Sequence, residues 1–313
     1  MKILVVGSIN MDIVNRVVNH PVPGETIKGL STVYSPGGKG ANQAVAAALA
    51  GGRAGMLGAI GKDPYGLELL DSLAKANVDT KAIIKKEGTS GMAFITVSES
   101  GENTIILSEG ANGKLSIKDV EEQLGLLDEA EILLVQNEIP LETTLFVLKE
   151  AQQRNVQTYF NPAPALEIPG EILPLIDVLI VNETEMEVVT GIRIETEEAR
   201  GRALNWLVNH GVNSVILTLG EKGSHYYSKT ETCLITPGFK VKAVDTTAAG
   251  DTFIGAFAAA KASGNNTKKA ILFATAASAL AVTKHGAQQS IPSKNEIEEF
   301  LKVHGDGSHA SEA

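Results

Sequence analysis

The segment Asp245–Phe253 constrains the fold of this chain more than any other, because it joins an extended stretch to a helix. Before it, apolar and polar side chains alternate as in a half-buried strand, and after it the sequence is rich in helix formers. The small residues Ala248, Ala249 and Gly250 therefore fall at the helix start, where backbone N–H groups lack intrahelical partners and the helix dipole favours negative charge. The sequence predicts an anion-binding site here, with the carboxyl group of Asp251 beside the anion.

Asp251 has two interpretations. A carboxylate beside an anion-binding amide cluster repels its ligand unless it has a chemical task. The task that fits is the removal of a proton from a hydroxyl as that hydroxyl attacks a phosphoryl group. The alternative is an acid of the first helical turn that only interacts with the dipole, worth roughly 0.3 to 1 kcal/mol. From this segment alone, both interpretations stay open.

Composition limits the partners that this chain can have. The formal net charge is −10, and no cluster of five or more Lys and Arg residues occurs, which argues against nucleic acid or an anionic membrane as the main partner. The single cysteine, Cys233, excludes an internal disulfide and a cysteine-rich metal site. No signal-peptide pattern and no apolar run of about 18 residues are present, so we expect a cytoplasmic protein. A phosphate site would have to be built locally, from backbone amides and a metal ion.

The pattern of apolar runs predicts an α/β fold. Short runs rich in β-branched residues alternate with helical patterns, as in a parallel sheet that helices cover on both faces. These runs lie at residues 3–6, 132–135, 158–160, 178–181 and 214–217. Two further regions, about 12–36 and 90–109, alternate between apolar and polar residues, which predicts a small separate sheet that acts as a lid. Residues 304–313 lack apolar periodicity, and we expect a disordered tail there.

A second glycine-rich stretch, Ser35–Ala44, runs into an alanine-rich segment. Its glycines let the backbone approach a ligand closely, and Lys39, Asn42 and Gln43 offer hydrogen-bond donors that suit sugar hydroxyls. The alternative is that the glycines serve only the close packing of a helix. The motifs of P-loop kinases, Rossmann dehydrogenases, α/β hydrolases and zincins do not occur, which argues against those four classes of enzyme.

Six motifs, taken in order along the chain, resemble those of the ribokinase-like carbohydrate kinase family, which also contains fructokinases and adenosine kinase. The motifs are Gly7–Asp12, Gly37–Ala44, Asn161–Ala165, Asn182–Glu185, Asp245–Asp251 and Lys284–Pro292. The resemblance covers residues 1–303 and implies one domain, a three-layer α/β sandwich with a mainly parallel central sheet and a protruding β lid. It also implies a homodimer in which the lids of two subunits clasp each other.

The resemblance implies a sugar site. Asp12, at the end of the first strand, would accept two sugar hydroxyls, and Glu138 would reach the same pocket. The remaining residues implied to bind the sugar are Asn10, Gly38, Lys39, Asn42 and Asp251. Two alternatives stay open, since Asp12 could face solvent in a turn and Glu138 could be a solvated acid at a strand end.

The resemblance also implies ATP as the phosphoryl donor. Asn182 and Glu185 match a motif that organises Mg²⁺ and its waters near the nucleotide phosphates, a role that suits hard oxygen ligands. The same spacing is that of a helix-capping box, and the two roles can coexist. The other implied nucleotide contacts are Thr218, Gly220, Lys222, Gly223, Gly250 and Thr275.

Two of these implied contacts differ from the rest. The segment 218–223 could instead be an ordinary connection after a strand. Thr275 departs from the Asn or His that related kinases often carry near the adenine, which puts the strength of nucleotide binding in question.

An activating K⁺ ion beside the anion site is a further implication of the resemblance. Its ligands would be the Asp245 carboxylate, the Ser290 hydroxyl and the backbone carbonyls of Thr247, Ala281, Lys284 and Gly286. A bound ion would stiffen the loop that holds the anion site without touching the substrate. Asp245 could instead only end its strand.

Taken together, the resemblance implies transfer of the γ-phosphoryl group of ATP to the C5 hydroxyl of D-ribose, with Asp251 as the general base. Closure of the lid would exclude water, which can also attack ATP. One alternative keeps this chemistry but uses another sugar or a nucleoside, as a fructokinase or an adenosine kinase does. Another is a sensor that binds sugar and nucleotide without turnover, although a sensor has no need of a base at Asp251.

Overall fold

The computed structural model describes residues 1–305 and 311–312. Within these residues the strands, in chain order, are β1 (Ile3–Val6), β2 (Asn10–Val17), β3 (Ser31–Gly37), β4 (Ala54–Gly61), β5 (Asp79–Lys86), β6 (Gly91–Ser98), β7 (Asn103–Ser108), β8 (Ile132–Gln136), β9 (Gln157–Asn161), β10 (Val178–Asn182), β11 (Ser214–Thr218), β12 (Ser224–Ser228), β13 (Leu234–Thr236) and β14 (Ser311–Glu312).

The α-helices of the same residues alternate with many of these strands. They are α1 (Lys39–Leu49), α2 (Pro64–Lys75), α3 (Ile117–Glu121), α4 (Gly125–Asp128), α5 (Leu141–Gln153), α6 (Glu183–Thr190), α7 (Glu197–Asn209), α8 (Ala249–Ala262), α9 (Thr267–Ala281) and α10 (Lys294–His304). None of these described helices combines the length and the apolar character that crossing a membrane requires.

The main sheet places many loops at a single edge. In the described part of the chain it has ten strands in the order β14-β13-β12-β11-β10-β9-β8-β1-β4-β5. Neighbours from β5 to β11 are parallel, and β12, β13 and β14 continue the sheet antiparallel. The residues that follow β1, β8, β9, β10 and β11 therefore meet at one edge, where open α/β sheets bind their ligands.

Helices cover both faces of this sheet. Ile3 and Val5 of β1 point into one apolar core, whereas Leu4 and Val6 point into the other. The first core includes buried residues of α1, α2, α8, α9 and α10, and the second includes those of α3 to α7. The predicted three-layer α/β sandwich with a mainly parallel sheet is confirmed.

The helices α1 and α8 lie unusually close together. A Cβ atom at Gly255 would be 2.5 Å from the Ala46 Cβ atom and 2.5 Å from the carbonyl oxygen of Gln43, so only glycine permits this approach. Since Asn42 and Gln43 belong to the first turns of α1, the contact brings their side chains to the start of α8.

The second sheet is the predicted small sheet. In the described residues it has four strands in the order β3-β2-β6-β7, with β2 and β6 parallel and the outer pairs antiparallel. Much of its apolar surface is exposed, including Val33, Tyr34, Ile105 and Ile106. The alternation predicted over 12–36 holds only for β2 and β3. The intervening residues 18–30 are irregular, because two prolines and two glycines there oppose strand pairing.

Three residues of the predicted tail belong to regular elements of the structure. His304 is the last residue of α10, and its ring stacks on that of Phe300 with 4.2 Å between centroids. Ser311 and Glu312 form β14, which pairs with β13 because the edge of the main sheet offers unpaired backbone groups. The other predicted tail residues, 306–310 and 313, lie outside the described residues.

Candidate active site

A cavity of about 220 Å³ opens at the carboxyl edge of the main sheet, between β10, β11 and the start of α8. Eight of the residues predicted to bind sugar, nucleotide or phosphate line it: Lys39, Asn182, Glu185, Thr218, Ala248, Ala249, Gly250 and Asp251. They come from segments far apart in sequence that the parallel sheet gathers at one edge. The structure therefore brings the centre of the predicted site together.

The start of α8 has the features of an anion site. Ala248 caps the helix in a left-handed conformation, with φ of 58°, and no side chain caps the helix. The N–H of Ala249 donates to the Thr246 carbonyl at 3.2 Å, so Gly250 and Asp251 supply the first-turn donors that lack an intrahelical acceptor. No atom lies within 4 Å of the position that a Cβ atom of Gly250 would occupy. An anion can approach these donors without steric hindrance.

Asp251 is held by two amide groups from α1. It is buried, and its Oδ2 accepts a hydrogen bond from Asn42 Nδ2 at 3.0 Å. Its Oδ1 accepts one from Gln43 Nε2, also at 3.0 Å. The donors of Gln43 were predicted to suit sugar hydroxyls, but the structure directs this amide to Asp251. Each carboxylate oxygen retains a lone pair, so Asp251 can accept a proton from a hydroxyl in the cavity.

Four carboxylates act on the charge of the Lys39 ammonium group. Burial alone would lower the pKa of Lys39, but the charges of Asp251, Glu138, Glu185 and Asp12 outweigh it and raise the pKa. Burial, together with the charges of Glu138 and Asp251, raises the pKa of Asp12 to about 7. A cluster of buried acceptors around one cation can bind several hydroxyl groups of a polyol.

Glu138 and Asp12 both lie against glycine-rich backbone. Glu138 Oε2 accepts from the Ser8 hydroxyl and from the Lys39 N–H at 3.1 Å. A Cβ atom at Gly37 would be 2.2 Å from Asp12 Oδ2, so glycine leaves room for this carboxylate. Neither acid is a solvated residue, since Asp12 is buried and Glu138 has two protein donors.

Asn10 has a partner that the sequence did not reveal. Its Oδ1 accepts from Asn112 Nδ2 at 2.7 Å, and Asn112 also bonds to the backbone N–H and carbonyl of Ile9. Gly38, beside them, has φ of 90°, and a Cβ atom there would be 2.7 Å from the Asn10 nitrogen. The sequence around Asn112 contains no pattern that predicts its contact with Asn10.

Asn182 and Glu185 form a capping box at the start of α6. The carboxylate of Glu185 accepts from Asn182 N at 3.0 Å, Asn182 Nδ2 at 3.0 Å and Asn161 Nδ2 at 3.2 Å. Burial raises the pKa of Glu185 despite these donors. The capping interpretation is confirmed, and both residues also line the cavity.

Mg²⁺ fits this arrangement through its water shell. Both oxygens of Glu185 already accept protein hydrogen bonds, and the described residues contain no cluster of three or more acidic, His or Cys side chains that could hold a metal ion directly. Mg²⁺ commonly keeps several waters and binds through one carboxylate and substrate phosphates. Glu185 can take that indirect role.

Other predicted nucleotide residues lie outside this cavity. Gly220 and Lys222 belong to a short exposed 3₁₀ turn after β11. Gly223 is required by packing, since its φ is 98° and a Cβ atom would be 2.0 Å from the Thr236 carbonyl oxygen. Thr275 is buried in α9, and its hydroxyl donates to the Ile271 carbonyl at 2.8 Å. Of the predicted segment 218–223, only Thr218 reaches the cavity.

The predicted K⁺ ligands lie in two loops that Asp245 joins. Asp245 Oδ1 accepts from the N–H and hydroxyl of Thr247 at 2.9 and 2.7 Å, and Oδ2 accepts from the Gly286 N–H at 3.0 Å. Burial raises the pKa of Asp245, but these hydrogen bonds outweigh it and hold the pKa below its ordinary value. Among the described residues, the basic side chain that comes within 4.0 Å of the carboxylate is that of His285.

The remaining predicted ligands are close along the second loop. Ser290 is buried and its hydroxyl donates to the Ala287 carbonyl at 2.8 Å, while the Lys284 N–H donates to the Ala281 carbonyl at 3.1 Å. An ionised carboxylate amid carbonyl and hydroxyl oxygens has the donor chemistry that K⁺ takes in proteins. The residues present therefore fit this ion.

Comparison with known proteins agrees with this site. Residues 1–294 match the pfkB family of carbohydrate kinases. The chain is 41% identical to the ribokinase of Haemophilus influenzae over 300 residues, which cover 95% of this chain and 97% of that protein. The solved structure of Thermotoga maritima ribokinase has 43% identity and a TM-score of 0.88, covering 96% of this chain and 99% of that one.

A second solved structure links the same fold to ligands. It is Arabidopsis thaliana ribokinase in complex with ribose and ATP, with 32% identity and a TM-score of 0.90, covering 96% of this chain and 98% of that one. An acid at the start of a helix, facing a polar cavity at the carboxyl edge of an α/β sheet, is an arrangement suited to phosphoryl transfer. The chain belongs to the pfkB family of carbohydrate kinases.

Proposed function

We propose that this protein transfers the γ-phosphoryl group of ATP to the C5 hydroxyl of D-ribose, giving D-ribose 5-phosphate and ADP. The observation that carries the proposal is the position of Asp251, between the first-turn N–H groups of α8 and the buried carboxylates around Lys39. The similarity to ribokinases over nearly the whole chain supports ribose as the acceptor.

Asp251 is the general base of this reaction. It takes the proton of the C5 hydroxyl while the hydroxyl oxygen forms its bond to the γ-phosphorus and the bond to the β-phosphate oxygen breaks. The N–H groups of Gly250 and Asp251 offset the negative charge on the transferring group, with Ala248 and Ala249 shaping the turn. Asn42 and Gln43 keep the carboxylate in place, so little reorganisation is needed during transfer.

The sugar lies among the acceptors and donors at the carboxyl ends of β1 and β8. Asp12 and Glu138 accept sugar hydroxyls, and Asn42 adds a side-chain acceptor. Lys39 balances their charge, and Asn10 and Gly38 shape the backbone around the ring. Because these polar groups are buried or half-buried, a polyol that satisfies each of them should bind in preference to an apolar molecule.

The nucleotide phosphates enter beside Asn182, Glu185 and Thr218. When bound, Mg²⁺ neutralises phosphate charge, and Glu185 holds it through water. Gly220, Lys222, Gly223 and Thr275 are proposed contacts for the rest of ATP, which extends beyond the cavity.

K⁺ is proposed as an activator held by Asp245 and Ser290, with the carbonyls of Thr247, Ala281, Lys284 and Gly286. When bound, the ion stiffens the loops that carry the anion site. Asp245 contributes the charge, and its hydrogen bonds to Thr247 and Gly286 already join the two loops.

We further propose that residues 1–303 form one domain of a cytoplasmic homodimer that associates through the small sheet. The exposed apolar side chains of that sheet, among them Val33, Ile105 and Ile106, support this surface. Sedimentation that gives only monomer at micromolar concentration would contradict it.

The test is ATP-dependent phosphorylation of D-ribose beside 2-deoxyribose, fructose and adenosine, each with Mg²⁺ and with or without K⁺. Asp251→Asn serves as the control for contaminating kinases, because it removes the base while it keeps the size of the side chain. Fast turnover on ribose that is lost in the variant supports the proposal. Faster turnover on another acceptor would redirect the assignments of Asp12 and Asn42. Binding of ribose and ATP without turnover would favour a sensor.

A further inference from the structure

Gln136, the last residue of β8, is fully buried and lies behind the proposed base. Its Nε2 donates to Gln43 Oε1 at 2.7 Å, and Gln43 Nε2 in turn donates to Asp251 Oδ1 at 3.0 Å. The residue is part of no motif that predicted a function. Its amide nonetheless connects to Asp251 through a single side chain.

The orientation of the Gln43 amide is decided by its neighbours. A carboxylate only accepts hydrogen bonds, so Gln43 must turn its nitrogen to Asp251. The second hydrogen of that nitrogen points to Asn161 Oδ1 at 3.4 Å. The oxygen of Gln43 is then left toward Gln136, which must donate to it. All three polar contacts of the Gln43 amide are satisfied in this orientation alone.

The backbone around Gln136 leaves room for its amide. A Cβ atom at Gly7 would lie 2.1 Å from Gln136 Oε1, so a larger residue there would displace the side chain. Gln136 Oε1 itself has no hydrogen-bond partner within the described residues. An unpaired amide oxygen such as Gln136 Oε1 costs folding free energy when it is buried, whereas Gln136 Nε2 makes a hydrogen bond. The contribution of Gln136 is therefore its N–H donation to Gln43.

We propose that Gln136 is a positioning residue for the phosphoryl transfer, which fixes the amide of Gln43 so that its N–H holds Asp251. This inference rests on the proposed function. Without the donor, Gln43 Oε1 is unpaired and the Gln43 amide is free to rotate. A flip of this amide turns its oxygen instead of its N–H toward the Asp251 carboxylate, and the two oxygens repel each other. The carboxylate loses a fixed hydrogen bond and is misplaced relative to the sugar hydroxyl.

The test combines Gln136→Met with Gln43→Met in a double-mutant cycle. Methionine keeps the length of the side chain and removes its donor. We expect Gln136→Met to lower kcat about 5- to 30-fold with little change in KM for the sugar, because orientation rather than binding is lost. In the Gln43→Met background the second substitution should change neither quantity.

Val135→Ala is the matched control. Val135 is the preceding residue of β8, is fully buried and points into the opposite core. Its truncation should lower the melting temperature while kcat stays unchanged. If Gln136→Met behaves in the same way, or if its effect on kcat adds fully to that of Gln43→Met, Gln136 does not act through Gln43 and the proposal is overturned.

The melting temperatures of the same cycle give a readout that needs no turnover. The decrease in melting temperature caused by Gln136→Met should be smaller in the Gln43→Met variant, since the hydrogen bond between the two residues is already absent there. A wild-type protein without kinase activity but with this non-additivity would refute the proposed reaction and leave the hydrogen-bond relay intact. Additive melting temperatures would refute the relay.

Discussion

Asn42 Nδ2 lies 3.0 Å from Asp251 Oδ2, although the two residues are 209 positions apart in the chain. The other polar atom of the same amide, Asn42 Oδ1, is buried and has no partner within the described residues. Such an orphaned acceptor is costly unless a ligand donates to it. One side chain thus orients the proposed base with its nitrogen and reserves its oxygen for a sugar hydroxyl.

Asn42→Ala should therefore damage both binding and turnover. We expect KM for ribose to rise and kcat to fall, each about 10-fold, because a hydrogen bond to a charged group and one to the sugar are lost together. Steady-state kinetics measure both. Thr144→Val is the control, since Thr144 Oγ1 is another buried, unpartnered atom but lies in α5. An unchanged KM in Asn42→Ala would remove this residue from the sugar site.

Two glycines of α8 should respond in opposite ways to alanine. Space for a Cβ atom at Gly250 is open, so Gly250→Ala should leave stability unchanged or raise it by up to about 1 kcal/mol, through helix propensity. The methyl group enters the proposed phosphate space, however, and should reduce kcat/KM for ATP roughly 10- to 100-fold.

Gly255→Ala is the contrasting variant. Its methyl group would meet α1 at 2.5 Å, and the cost in unfolding free energy should be about 1 to 3 kcal/mol. Urea denaturation and steady-state kinetics on both variants separate the two roles. Normal ATP kinetics in a stable Gly250→Ala variant would contradict the anion site.

The sequence predicted those parts of the site whose signal is local. The extended stretch, the small residues and the helix formers around Asp251 lie within a few positions, and each has a direct physical meaning. The parallel sheet followed from the alternation of apolar runs with helical patterns. Its topology then brings strand ends together, which is why Asp12, Glu138 and Asn182 occupy one edge.

Contacts between distant polar side chains could not be predicted in this way. Gln136 reaches Gln43 only because β8 and α1 pack together, and Asn112, in the turn after β7, reaches Asn10 of β2 only in the folded chain. A buried amide has the same local sequence features as an exposed one, so its partner depends on the tertiary structure. Gly223 shows the converse, since its packing against Thr236 requires a glycine there independently of any contact with the nucleotide.

Asp12 should make sugar binding depend on pH near neutrality. With a pKa of about 7, its carboxyl group is largely protonated at pH 6 and ionised at pH 8. Only the ionised form accepts hydroxyls with both oxygens, so KM for ribose should rise as the pH falls below 7. Asp12→Asn should have a high KM that no longer varies over this range. A wild-type KM that is constant from pH 6 to pH 8 would show that Asp12 is not the acceptor.

Ionisation of Asp12 should favour sugar binding but lower the free energy of unfolding. Its folded-state pKa exceeds the unfolded value, so the favourable contribution of the neutral acid is present at low pH and is lost as the pH rises toward about 7. Asp12→Asn should then be more stable than the wild type at pH 8, by roughly 1 to 3 kcal/mol, and should lose this advantage below pH 4. Urea denaturation at both pH values measures the difference. Equal stabilities at pH 8 would contradict the raised pKa.

Asp245 should be the residue through which K⁺ acts. Asp245→Asn keeps an acceptor for Thr247 but removes the charge, so we expect the variant to lose both the stimulation of kcat by KCl over choline chloride and the rise in melting temperature that KCl gives the wild type. Glu296→Gln is the control, because Glu296 pairs with Lys284 of the same loop at 2.9 Å and its loss removes an equal charge. That variant should melt at a lower temperature and still respond to K⁺. If both variants lose the response to K⁺, loop stability rather than cation binding governs the activity. If the wild type gives the same rate and melting temperature in both salts, Asp245 serves only to join the two loops.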